Sequence, residues 1–84
     1  MRPGRGQPTL SRRDLAVLGL EREWGQSPEM MASKLSQAKR DLDLSPGSYA
    51  MVLNALIDDP AAMEYDPETI TRLRAIRESR RSVL

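Results

Sequence analysis

The side chains best equipped for chemistry in this sequence are guanidiniums. Eleven of the 84 residues are arginine, two are lysine, and cysteine and histidine are absent. A planar guanidinium meets phosphate or carboxylate through two parallel hydrogen bonds, where an ammonium offers a point charge, so this inventory favours anion binding. It disfavours catalysis. Without a thiol or an imidazole there is no thiolate nucleophile, no base titrating near neutrality and no zinc site of Cys or His. The carboxylates Asp58, Asp59, Glu64 and Asp66 lie close in sequence but lack the loop spacing and glycine turn of a calcium site. No enzyme activity, metal or cofactor is expected, and the chemistry on offer is binding.

The formal charge of +1 conceals three segments of different sign. Residues 1–13 hold Arg2, Arg5, Arg12 and Arg13 and no acid, for +4; residues 14–66 hold ten carboxylates against four cations, for −6; residues 67–84 hold five arginines against Glu68 and Glu78, for +3. Two basic ends flank an acidic middle. Such a pattern suits contact with a polyanion, and it equally suits internal pairing of the middle with the ends.

The elements that must position these charges follow from caps and apolar spacing. Residues 1–9 are rich in Arg, Gly and Pro and nearly free of apolar side chains, which predicts a flexible basic arm. Residues 10–84 read as one helical domain. Ser11 with Asp14 forms a capping-box start, Leu15, Val17, Leu18, Leu20 and Trp24 follow at helical spacing, and Gly25 is a stop, which predicts a helix over 12–24. Ser27, Pro28 and Glu29 open a second helix over 28–42, whose stripe of Met31, Leu35, Ala38 and Leu42 leaves Lys34, Gln37, Arg40 and Asp41 opposite. Ser45 and Pro46 open a third over 46–58, burying Tyr49, Val52, Leu53, Leu56 and Ile57. Residues 59–66 read as a connector with at most one helical turn at Ala61, Ala62 and Met63. Asp66 and Pro67 then open a helix over 67–81 with Ile70, Leu73 and Ile76 on its apolar face. No stretch alternates with period two, so the fold class is all-α, a small three- to four-helix domain.

The segment from Ala38 to Leu53 matches the spacing of a helix-turn-helix unit. Leu42 closes the first helix, Asp43 tolerates a left-handed backbone in the turn, Leu44 is apolar after it, and Tyr49 and Val52 anchor the second helix. Asp is an inferior substitute for glycine in that conformation, and Lys39 stands where a small residue usually lets the helices approach. The same spacing also serves a plain helical hairpin. The helix over 46–58 contains no Lys or Arg, so only Ser48 and Asn54 offer base-reading groups.

The stretches LSRRDLAVLGLEREW, LNALIDDPAAM and DPETITRLRAIRESRR resemble a family of small actinobacterial and actinophage proteins of unknown function, usually described as helix-turn-helix-like. In that family the third helix opens on Arg followed by two tyrosines. The matching positions here are Ser48, Tyr49 and Ala50, so one tyrosine is kept. The resemblance implies a helix-turn-helix fold and nucleic-acid binding.

Together these readings predict a cytoplasmic DNA-binding protein of transcriptional regulation. Arg2 and Arg5 would enter a minor groove, Arg12, Arg13, Lys39 and Arg40 would hold phosphates, and Ser48 and Asn54 would face bases. The alternative is a protein-interaction module that meets RNA polymerase, a sigma factor or another host protein through Met51, Asp58 and Asp59. A homodimer fits either reading. The N-terminal MRPGRGQPTL lacks the apolar run of a signal peptide, and no apolar run approaches the roughly 20 residues of a membrane span.

Overall fold

The computed structural model describes residues 10–82. Five helices follow one another: α1 (Arg12–Trp24), α2 (Pro28–Leu42), α3 (Pro46–Ile57), α4 (Pro60–Tyr65) and α5 (Pro67–Ser82). No strand forms among the described residues. Each start uses the chemistry its sequence offers. The Ser11 hydroxyl accepts from the Asp14 N–H at 3.0 Å while the Asp14 carboxylate accepts from the Ser11 N–H at 3.1 Å, so α1 carries a complete capping box. Ser27, Ser45 and Asp59 cap α2, α3 and α4, with a proline next in each. That proline costs nothing, because the N–H it lacks would have had no helical partner.

The segment read as a connector goes further than one turn. Helix α3 ends at Ile57, Asp59 turns extended, and its carboxylate accepts the Ala61 N–H at 2.9 Å to start a six-residue helix. Pro60 therefore opens α4 as well as closing α3. Asp66 then caps α5, accepting the Thr69 N–H at 3.3 Å.

Helices α1 and α3 form the centre, α1 packing against α2, α3 and α5 and α3 against all four other helices. Val17, Leu18, Ala38, Ala62 and Ile70 are fully buried where these helices meet, joined by Leu20, Leu44, Tyr49, Leu56 and Leu73. Burial of each large aliphatic side chain contributes about 1.5–3 kcal/mol. No helix among the described residues is long and apolar enough to cross a membrane.

One placement departs from the sequence reading. Lys34, expected on the polar side of its helix, is only 1% exposed. Both α1 and α3 cover α2, so its buried arc is wider than the stripe of Met31, Leu35, Ala38 and Leu42 and takes in the intervening position. A lysine survives there because partners are waiting for it.

Candidate nucleic-acid interface

The turn between α2 and α3 has three residues. Asp43 takes the left-handed conformation, φ 57° and ψ 36°, the only non-glycine positive φ among the described residues. Its N–H returns to the Lys39 carbonyl at 3.0 Å and the Leu44 N–H to the Ala38 carbonyl at 3.3 Å, a left-handed helix ending that satisfies the last carbonyls of α2. Leu44 is buried beneath the turn, and Ser45 caps α3 by accepting the Ser48 N–H at 3.2 Å. Ala38 is fully buried in the core, while Lys39 is exposed.

Helix α3 presents Gly47, Ser48, Met51, Asn54, Ala55 and Asp58 outward. Met51 is 74% exposed, and the Asn54 amide makes no hydrogen bond among the described residues. The Ser48 hydroxyl accepts from that of Ser45 at 3.1 Å. Lys39 and Arg40, at the end of α2, pair with Asp43 at 3.4 Å and Asp41 at 3.2 Å. Arg12 and Arg13 are exposed on the first turn of α1, with Arg13 3.6 Å from Asp14. Exposed pairs of this kind contribute little and yield readily to a stronger anion. Arg2 and Arg5 lie outside the described residues.

The two carboxylates of the acidic surface already have structural work. Asp58 receives both Arg77 guanidinium nitrogens, at 2.8 and 3.3 Å, and that hydrogen bonding holds its carboxyl below the usual range. Asp59 caps α4. Two cations of α5 reach the C-terminal end of α3: Arg77 on Asp58, and Arg74, whose Nε donates to the Ile57 carbonyl at 3.0 Å. A groove of about 260 Å³ runs between α3 and α5 with the first half of α2 behind it, and both Asn54 and Arg80 border it.

Beneath this surface lies a polar junction that the sequence reading missed. Glu21 of α1, Lys34 of α2 and Tyr49 of α3 are 0%, 1% and 3% exposed. Lys34 Nζ donates to Glu21 Oε2 at 2.8 Å and to the Gly25 carbonyl at 2.7 Å, and the Tyr49 hydroxyl donates to the same Glu21 oxygen at 2.6 Å. Gln26 donates to the other carboxylate oxygen at 2.7 Å. Gly25, at φ 71°, ends α1 and turns the chain toward α2. Burial, then the hydrogen bond and charge of Glu21, push the Tyr49 phenol far above its ordinary value. Two signals could have revealed the junction. Glu21 continues the Val17 and Leu18 face of α1, and a tyrosine sunk in a core needs a partner for its hydroxyl.

The chain is therefore all-α, with α2 and α3 joined by a tight left-handed turn and locked to α1 through a buried ion pair. The family described as Protein of unknown function (DUF3263) matches residues 9–83, and the chain belongs to it. No curated protein and no solved structure matches.

Proposed function

We propose that this protein binds DNA as a small helix-turn-helix module of transcriptional regulation. The observation that carries the reading is the turn from α2 to α3, where left-handed Asp43, buried Leu44 and capping Ser45 join two helices through three residues. Helix α3 offers Asn54, an amide suited to adenine, and Ser48 to base edges. Having no cation of its own, α3 relies on Lys39, Arg40, Arg12 and Arg13 for phosphate, and on Arg2 and Arg5 for a minor groove.

The test is fluorescence anisotropy of the full chain with A·T-rich and G·C-rich duplexes between about 50 and 200 mM salt, a range over which phosphate contacts change affinity steeply. With four phosphates held and two further arginines in the groove, the log–log slope is expected between about −4 and −5. Binding that ignores salt overturns the mechanism.

A second reading is favoured by one observation, the 74% exposure of Met51 at the centre of the outward face of α3. A flexible thioether there suits an adaptable protein contact with RNA polymerase, a sigma factor or another host protein, flanked by Asp58 and Asp59. Met51→Lys, which changes only this exposed position, should then weaken that complex with Tm unchanged.

A further inference from the structure

The geometry points to a second binding site that adjoins the proposed DNA-reading face at Asn54: the groove between α3 and α5 takes an amphipathic peptide helix that inserts one or two apolar side chains and follows them with a carboxylate. The walls are apolar, built from Leu35, Leu53 and Ile76 among others, and the space is about 260 Å³. Pockets for drug-sized molecules run from about 300 to 1,000 Å³, so this one is scaled to side chains. An apolar groove between helices is a usual seat for a helix whose anchors recur every three or four residues.

Charge selects the occupant. Among the described residues no carboxylate lines the groove, whereas Lys34, Arg77 and Arg80 do. Lys34 is neutralised by Glu21 and Arg77 by Asp58, each at 2.8 Å. Arg80 is exposed and has no carboxylate partner among the described residues. Among the described residues one guanidinium therefore stands uncompensated beside an apolar slot, a pairing that attracts a carboxylate one turn beyond an apolar anchor and repels a basic segment. A nucleic-acid phosphate would satisfy Arg80 and leave the apolar walls wet.

The experiment is selection of a random peptide library against the full-length chain, followed by affinity measurement of the winning peptide. Winners are expected to carry aliphatic or aromatic residues at helical spacing with Asp or Glu beyond them. Arg80→Glu should weaken the winner about tenfold, the scale of reversing one rim charge, while Arg80→Lys retains most of the affinity. Ala50→Trp, which fills the groove from its exposed α3 edge, should abolish binding with circular dichroism and Tm unchanged. Winners without acidic residues, or affinity indifferent to both Arg80→Glu and Ala50→Trp, overturn the proposal. So does a concentration-dependent dimer of the wild-type chain that Ala50→Trp abolishes, which would make a second copy the occupant.

Discussion

Two ion pairs in this protein have the same 2.8 Å separation, yet they are different physical objects. Lys34 with Glu21 sits at 1% exposure on either side, enclosed by three helices; Arg77 with Asp58 bridges α5 and α3 at 34% and 66%. Water screens the outer pair, so its Coulomb attraction is largely exchanged for hydration that both groups already enjoyed. The inner pair has given up that hydration, and its members depend on each other, on the Gly25 carbonyl and on Tyr49. Distance alone does not rank the two. What ranks them is the state of each partner after the other is removed.

The largest effect should come from Lys34→Met, which keeps the aliphatic stem and strands the Glu21 carboxylate in the core. Breaking one side of a buried pair costs about 3–5 kcal/mol, and denaturant midpoints should fall accordingly. Adding Glu21→Gln should restore part of that loss, since the uncompensated charge is then gone. If the double variant is as unstable as the sum of its parts, the two residues do not depend on each other as described.

Next in size is Tyr49→Phe, which removes a hydrogen bond to a charged acceptor and should cost about 1.5–3 kcal/mol. It should also alter the response to alkali. The native phenol is held protonated by burial and by Glu21, whereas the unfolded one ionises near pH 10. Above about pH 10 the native state therefore binds the extra proton, so the stability this group contributes is full below that pH and is lost as pH rises beyond it. The Tm of the natural chain should fall as pH rises above about 10, and this fall should be smaller in Tyr49→Phe.

The smallest stability effect belongs to the outer pair. Arg77→Met keeps the stem against the groove and should leave the neutral-pH Tm close to that of the natural chain. Its signature is in the titration of Asp58. The carboxyl is lowered by the Arg77 hydrogen bond, and nuclear magnetic resonance should show it rising toward the ordinary value of about 3.9 once that bond is lost. An unchanged titration would remove Arg77 as the cause. A lowered carboxyl adds stability that is full above its unfolded value and is lost as pH falls below that and through the lowered native value, so the natural chain alone should show this contribution to acid sensitivity.

The same division separates what could be read from the sequence and what could not. Helix starts were legible because each is written in adjacent residues: Ser11 with Asp14, Ser27 with Pro28, Ser45 with Pro46, Asp66 with Pro67. The left-handed turn at Asp43 was legible for the same reason. Helix α4 was only half visible, since six residues give too little periodicity to separate a short helix from a connector. Lys34 was misplaced because a helical stripe reports the average face of one helix, while burial depends on how many neighbours cover it. The junction itself joins residues 13 and 28 positions apart, a relation no local pattern contains. On the candidate site, the outward set of Ser48, Met51, Asn54 and Asp58 was legible from angular position alone, and the α3–α5 groove was not, because its two walls come from separate helices.

The shared oxygen of Glu21 has a consequence for how the molecule assembles. A hairpin of α1 and α2 alone could pair Lys34 with Glu21, but without α3 the pair lacks the Tyr49 hydroxyl and the cover that excludes water. A pairing of α1 with α3 alone would bury Glu21 against Tyr49 with no cation. Each two-helix fragment thus carries a polar group half solvated or half satisfied, and only the threefold encounter relieves it. Partial structures are penalised by the same contact that completes the whole, which makes the junction a source of cooperativity: α1, α2 and α3 gain or lose their order together.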